Sequence, residues 1–144
     1  MLYRRALLVG AALGLASGTE AGAMAFLPAG EVFRDLMRIW ETGDFARFDD
    51  LVSERYVGHV AAGDRDRAGL RQRILAFRGL YPLMHFEIED QFASGDRVAT
   101  RMLARGRNAK GDAVALMGIN ISRVRDGKLE EEWNTWEPLK GPAA

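Results

Sequence analysis

The stretch Arg97–Glu137, RVATRMLARGRNAKGDAVALMGINISRVRDGKLEEEWNTWE, decides the fold. It contains runs with strand character separated by polar turns, and these runs cover 97–107, 113–125 and 128–137. The second turn is Asp126-Gly127, a strong signal for a two-residue hairpin. The stretch therefore predicts an antiparallel meander.

Upstream of the meander, the sequence has helical periodicity. From Glu31, apolar residues recur at three- and four-residue spacing, as on one face of an amphipathic helix. Further helices are predicted at 45–52 and 68–80, with a short extended piece at 56–60 between them and a first strand at 85–92. Helices on one face of such a sheet predict an α+β domain. We expect the sheet to curl over the helices and enclose a pocket.

The amino-acid composition argues against several classes of function. The 144 residues include 20 basic and 20 acidic side chains, so no net field attracts nucleic acid or an anionic membrane. Cysteine is absent and only His59 and His85 are histidines, which argues against disulfides, a zinc-thiolate site or a multi-histidine metal site. We therefore expect no metal and no nucleic-acid partner.

The first 25 residues have the composition of an export signal. Arg4-Arg5 is a positive n-region, Ala6 to Ala16 an apolar h-region, and Ala23-Met24-Ala25 a cleavage pattern. The apolar run is shorter than the roughly 20 residues that a membrane-spanning helix needs. We predict residues 1–25 as a cleaved export signal, for which Arg4-Arg5 suggests the twin-arginine type. We predict residues 26–144 as one domain, and export to the periplasm or medium without stable membrane insertion. The alternative is an amphipathic first helix of the fold.

Several short motifs occur in an order that resembles a known family. They are Trp40 with Gly43-Asp44-Phe45, Tyr56-Val57-Gly58-His59, Ala76-Phe77-Arg78 with Tyr81-Pro82, Gly95-Asp96-Arg97-Val98-Ala99, and Asp126-Gly127-Lys128-Leu129 with Glu131 and Trp133. In this order the chain resembles the SnoaL-like polyketide (ester) cyclases of the nuclear-transport-factor-2-like superfamily. The resemblance implies a cone-shaped α+β barrel of three helices packed on a curved, mostly antiparallel sheet. It also implies an apolar cavity, no metal or organic cofactor, and a homodimer formed by the sheets.

The resemblance also implies positions for site residues. The cyclases close a ring by an aldol reaction in which an acid on the last strand transfers protons, and this position falls on Asn134. Two further polar positions of the family fall on Asn108 and Asn120. An amide cannot carry a proton between substrate atoms, so the family mechanism is not inherited unchanged. We interpret these asparagines as ligand-binding residues, together with Trp40, Tyr56 and Trp136.

Another carboxylate on the last strand could supply the base. Strand parity places Glu130, Glu132, Asn134 and Trp136 on one side. If that side faces the cavity, desolvation would raise the pKa of Glu132 toward the value that a general base needs. We therefore predict Glu132 as the catalytic base and His59 as the acid or hydrogen-bond donor.

Each of these residues also has a structural interpretation. The run Glu130 to Glu132 suits a solvated strand edge, the tryptophans suit a core or dimer interface, and His59 suits local packing. The leading hypothesis is an exported domain that binds a small apolar, cyclic molecule and catalyses acid-base chemistry of the cyclase, isomerase or dehydratase type. The alternative is a non-catalytic ligand-binding or dimeric interaction module of the same fold.

Overall fold

The computed structural model describes residues 28–139. Helices are α1 (Ala29–Thr42), α2 (Phe48–Leu51) and α3 (Arg67–Leu80), and strands are β1 (Val52–His59), β2 (Leu83–Ser94), β3 (Arg97–Arg107), β4 (Ala113–Arg125) and β5 (Lys128–Pro138). The predicted α+β class with a mostly antiparallel sheet is confirmed. The predicted signal, residues 1–25, lies outside the described residues.

The strands form one sheet in the order β1-β5-β4-β3-β2. Strands β2 to β5 are the predicted meander, and each pairs antiparallel with the next. Between β4 and β5, Asp126 and Gly127 have φ values of 50° and 70°. Positive φ at both positions is what a type I′ hairpin turn requires, so the Asp-Gly pair sets the register of the last strand.

Strand β1 is longer than the extended piece predicted at 56–60, and it pairs parallel with β5. It begins at Val52, which pairs with Leu129, so the chain leaves α2 early. The N-terminal part of the helix predicted at 45–52 is instead a turn, in which Asp44 Oδ1 accepts a bond from Ala46 N–H at 2.9 Å. The short side chain of Asp44 competes with helical bonding at this point.

The helices cover one face of the sheet with apolar side chains. On α1 the buried residues include Val32, Phe33 and Leu36, as the spacing predicts. On α3, Leu70 and Ile74 are buried, and the Asp66 carboxylate caps the helix by accepting a 2.8 Å bond from Gly69 N–H. None of the helices within residues 28–139 is long and apolar enough to span a bilayer.

Sheet register decides which side chains face the helices. Directly paired residues on adjacent strands point to the same face, so they form rows across the sheet. The first interior row is Gly58, Glu132 and Ser122, the second is Asn134, Asn120 and Thr100, and the third is Trp136, Gly118 and Met102. Polar side chains are thus grouped in two neighbouring rows, and apolar ones follow.

Candidate functional site

A cavity of about 580 Å³ lies between the helices and the sheet. Its apolar wall comes from both layers and comprises Met37, Trp40, Leu70, Phe77, Tyr81, Phe86, Met102, Leu116 and Trp136. Its polar groups are few and include Asn120, Glu132 and Asn134. An apolar cavity with a small number of convergent polar groups is the usual form of a small-molecule site.

Glu132 is the acid of this cavity, and it is 5% exposed. Its Oε1 accepts a 2.5 Å bond from the Tyr56 hydroxyl, and its Oε2 accepts a 2.9 Å bond from Asn120 Nδ2. Burial raises the pKa of Glu132 above its ordinary value, while these two bonds and the charge of Arg65 oppose part of that rise. Glu132 is therefore a desolvated, firmly held carboxyl group with a raised pKa.

Tyr56 reaches Glu132 because Gly58 has no side chain. A Cβ built on Gly58 would lie 2.3 Å from the Tyr56 hydroxyl oxygen, so any larger residue would displace that hydroxyl. Burial, followed by the charge of Glu132, raises the pKa of Tyr56 far above its ordinary value. The phenol thus keeps its proton and donates it in the hydrogen bond to Glu132.

Asn120 is oriented by Ser122, which is completely buried. The Ser122 hydroxyl donates a 2.5 Å bond to Asn120 Oδ1. The amide nitrogen of Asn120 is then directed at Glu132 Oε2. Three neutral side chains, Tyr56, Asn120 and Ser122, therefore form one chain of hydrogen bonds around the single carboxyl group.

The parity prediction for the last strand was right for Glu132, Asn134 and Trp136 and wrong for Glu130. Arg123 pairs with Glu131 while the next β4 residue, Val124, pairs with Leu129, so Glu130 is the extra residue of a bulge. The bulge shifts the alternation by one residue, and Leu129 faces the core in place of Glu130. Glu130 instead forms ion pairs with Arg55 at 3.1 Å and Arg125 at 3.4 Å.

The structure does not bring His59 to Glu132, contrary to the predicted acid-base pair. The His59 Nδ1 lies 2.8 Å from an oxygen of Asp64, and Nε2 lies 2.9 Å from an oxygen of Glu131. Its ring stacks on Trp133 at 5.0 Å between centroids. Side chains alternate along β1, so His59, three residues from the inward-facing Tyr56, points to the opposite face of the sheet.

Asn108 is also outside the cavity lining. It lies in the turn between β3 and β4, where its Oδ1 accepts bonds from the backbone N–H groups of Lys110 and Asp112 at 2.9 Å. Its Nδ2 donates to the Asp112 carboxylate at 2.9 Å. Asn108 therefore stabilises a turn, and the ligand-binding role predicted for it is not supported by its position.

Four of the five other predicted ligand-binding residues are brought together, since Asn120, Asn134, Trp40 and Trp136 line the cavity. Tyr56 is buried, donates to Glu132 and does not line the cavity, so the ligand-binding role predicted for it is not supported by its position. The indole of Trp136 lies flat against Gly118, since a Cβ on that glycine would be 2.6 Å from the ring. This close approach keeps the indole against the sheet and leaves room in front of it.

Sequence reasoning missed Arg65 and Arg73, which also line the cavity. Arg65 lies between the extended piece predicted at 56–60 and the helix predicted at 68–80, and Arg73 lies within that helix. The turn at 61–64 folds back so that Arg65 and Gly58 exchange two backbone hydrogen bonds, of 2.9 and 3.0 Å. No local pattern in the loop AAGDRD signals this pairing. Within residues 28–139, no group of three or more potential metal ligands is clustered.

Comparisons with known proteins agree with this architecture. The structure is similar to IdmH, a proposed polyketide cyclase from Streptomyces antibioticus, with 26% identity, a TM-score of 0.71, and coverage of 77% of this chain and 93% of that one. It is similar to a proposed polyketide cyclase from Bacillus cereus at 26% identity and a TM-score of 0.69, covering 76% of this chain and 74% of that one.

A more distant structure shares the fold alone. A nuclear-transport-factor-2-like protein from Anabaena variabilis has 12% identity and a TM-score of 0.67, covering 76% of this chain and 86% of that one. No curated protein matches the sequence significantly. The family model described as SnoaL-like domain matches residues 33–132. The chain therefore belongs to the SnoaL-like domain family, as its motifs predicted.

Proposed function

We propose that the cavity binds a small apolar, cyclic molecule and that Glu132 transfers protons to and from it. The observation that carries this proposal is the placement of Glu132, a 5% exposed carboxyl on the wall of an otherwise largely apolar cavity. A carboxylate that has lost its water is a stronger base than one in solution.

The chemistry would proceed by removal of a proton from carbon. Ionised Glu132 takes the proton from a carbon next to a carbonyl group, and the electron pair of the broken C–H bond moves onto the carbonyl oxygen to give an enolate. The Asn134 amide, on the same face two residues along β5, can donate a hydrogen bond to that oxygen. The enolate carbon then attacks a second carbonyl to close a ring, and the alkoxide formed there takes the proton back from Glu132. If a C=C bond is conjugated with the enolate, the far carbon of that conjugated system takes the proton from Glu132 instead, which completes an isomerisation.

In this proposal Tyr56 and Asn120 replace the predicted role of His59. Both donate hydrogen bonds to Glu132, at 2.5 and 2.9 Å, and both therefore favour its ionised form. They fix the position of the carboxylate so that proton transfer does not wait for a side chain to rotate. They are positioning residues, while Glu132 contacts the reacting atoms.

The solved structures named above support a polyketide-like substrate class. Two of them, at 26% identity, are proposed polyketide cyclases. The acid that the family resemblance implies is replaced here by Asn134, and Glu132 lies two residues before it on the same face of β5. Moving the base by one interior row would move the reacting carbon by about 7 Å along the strand.

A non-catalytic interaction module remains the second candidate, because the outer face of the sheet carries exposed apolar residues. Ile119 and Ile121 are 43% and 41% exposed, and Ile121 pairs with Trp133 on the same outer face. Such a stripe suits a second copy of this chain, as the predicted homodimer requires. A dimer and a catalytic cavity are compatible because they use opposite faces of the sheet.

Export is a separate proposal and depends on residues 1–25 alone. Mass spectrometry of the protein from the cell envelope or medium should give an N-terminus at Phe26. An intact Met1 terminus in a protein confined to the cell interior would contradict the proposal.

Binding is tested by native mass spectrometry after exposure to extract from the producing cells. We expect a retained organic mass in the wild type and its loss in Leu116→Trp, which would place an indole in the space that the ligand occupies. Retention of the same organic mass by both proteins would refute binding in this cavity. If Glu132→Gln retains the same ligand as the wild type, and neither protein changes that ligand chemically, the non-catalytic module is favoured.

A further inference from the structure

The cavity carries more positive than negative charge. Its charged lining residues are Arg65, Arg73 and Glu132. With Glu132 ionised the lining has a net charge of +1, since +2 − 1 = +1, and with Glu132 protonated the net charge is higher. Arg73 is exposed to water, but Arg65 is half-buried, and a purely apolar ligand would cover Arg65 without giving its guanidinium a counterion, which is unfavourable.

The backbone places Arg65 on the interior face. Gly58 pairs with Glu132 in the parallel direction and with Arg65 in the antiparallel direction. Directly paired residues share a face, so the first interior row continues as Arg65, Gly58, Glu132. Because Gly58 has no side chain, only the hydroxyl of Tyr56 occupies the space over it. Arg65 is therefore an inward-facing residue, even though it lies in a loop.

Neighbouring acids in the loop are bound elsewhere. Asp64 contacts His59 Nδ1 at 2.8 Å, and Asp66 caps α3 through the Gly69 N–H. Neither carboxylate is therefore directed at Arg65. The charge of Arg65 opposes part of the rise in the pKa of Glu132, but the two side chains form no ion pair.

Arg65 differs in this respect from the other half-buried arginines. Arg67 lies 3.6 Å from Asp49, Arg78 donates to the Trp40 carbonyl at 3.1 Å, and Arg123 pairs with Glu131. The Arg65 guanidinium has no ion pair or side-chain hydrogen bond to any group within residues 28–139. Arg73, which is exposed at the rim of the cavity, also forms no ion pair or side-chain hydrogen bond with any group within residues 28–139.

We propose that the ligand of this cavity has an apolar body and one carboxylate, and that Arg65 binds the carboxylate while Arg73 attracts it at the rim. This inference rests on the proposed binding function and adds the ligand's chemical class. A planar guanidinium matches a carboxylate with two parallel hydrogen bonds, and the carboxylate supplies the counterion that half-buried Arg65 lacks. Two strand spacings, about 10 Å, separate the backbones of Arg65 and Glu132. A ligand held at Arg65 therefore extends past Glu132 toward the apolar wall.

The test compares acids with their uncharged amides by isothermal titration calorimetry at pH 7.5. The probes are 2-naphthoate with 2-naphthamide, and biphenyl-4-carboxylate with its amide. We expect the wild type to bind each acid at least about tenfold more tightly than its amide, because a charged hydrogen bond that replaces water contributes that much or more. Arg65→Gln should remove most of the difference, Arg65→Lys should keep part of it, and Arg73→Gln should reduce it.

Arg34→Gln is the matched control, because Arg34 is exposed on α1 and does not line the cavity. It removes one positive charge and should keep the full preference for the acid. Equal binding of acid and amide to the wild type would overturn the carboxylate inference while leaving the binding function intact. Equal losses in Arg65→Gln and Arg34→Gln would overturn it as well. If neither member of either pair bound, the binding function and this inference would both be refuted.

Discussion

Replacing Glu132 with glutamine should make the difference in stability between wild type and variant depend on pH. The substitution keeps the size and shape of the side chain and removes its charge. In the variant, the glutamine carbonyl can accept the bond from Asn120 Nδ2, and its amide can donate to the Tyr56 hydroxyl, which is free to rotate. The hydroxyl proton of Tyr56 then loses its acceptor, but this cost does not vary with pH because Tyr56 keeps its proton. The pH dependence of the difference between the two proteins therefore reports on the ionisation of Glu132.

The sign follows from the raised pKa of Glu132. Below the ordinary value of 4.5 the carboxyl is protonated in both the folded and the unfolded chain, so its contribution does not vary with pH. Above that value the unfolded chain loses the proton while the folded chain keeps it, until the raised folded pKa is reached. The stability of the wild type relative to the variant should fall through this window by about 1.4 kcal/mol per pH unit, the value for one proton. Above the folded pKa the difference should again be constant.

The assay is urea unfolding followed by tryptophan fluorescence at pH 4, 5, 6, 7 and 8, with the free energy of unfolding extrapolated to water. Glu137→Gln is the control, because it removes an exposed carboxylate from the same strand. Subtracting the control removes the general effect of losing one negative charge. A difference between wild type and Glu132→Gln that does not change from pH 4 to pH 8 would refute the assignment of a desolvated carboxyl at this position.

Three further substitutions test the packing around the site, with Gly79→Ala for comparison. Gly58→Ala should destabilise the protein by about 1–3 kcal/mol in urea unfolding, because its Cβ would meet the buried hydroxyl of Tyr56. Gly79→Ala should stabilise the protein by about 0.5–1 kcal/mol, because Gly79 is in a helix and nothing lies within 4 Å of the added Cβ. Ser122→Ala should cost about 1–3 kcal/mol by leaving a buried amide oxygen unpaired, and an unchanged midpoint would contradict the hydrogen-bond chain. Gly118→Ala should shift the fluorescence emission of Trp136, whose ring would have to move, and an emission spectrum identical to that of the wild type would contradict this packing.

The fold could be predicted largely from local signals. Alternation and the Asp126-Gly127 turn predicted the meander, and apolar spacing predicted α1 and α3, because these elements are specified by residues near one another in sequence. The pairing of β1 with β5 could not be predicted in this way. It joins residues more than 70 positions apart, as in the bond between Tyr56 and Glu132, and no short motif specifies such a contact.

The candidate site was predicted in part for the same reason. Parity along one strand identified Glu132, Asn134 and Trp136 as sharing a face. The parity rule failed at Glu130 because a bulge is a property of the strand pair, which one strand does not reveal. His59 was misassigned because its motif was interpreted without the alternation of β1, although Tyr56 and His59, three residues apart on a strand, cannot face the same side.

Deuterium exchange at a carbon acid is the measurement that tests the proposed proton transfer most directly. The probe is 2-tetralone, an apolar cyclic ketone, and incorporation of deuterium next to its carbonyl is followed by proton NMR in D₂O at several pH values. We predict that the wild type accelerates exchange, that the rate falls as the pH is lowered through the raised pKa of Glu132, and that Glu132→Gln reduces exchange to the uncatalysed rate. Equal exchange rates in the wild type and Glu132→Gln would contradict Glu132 as the base.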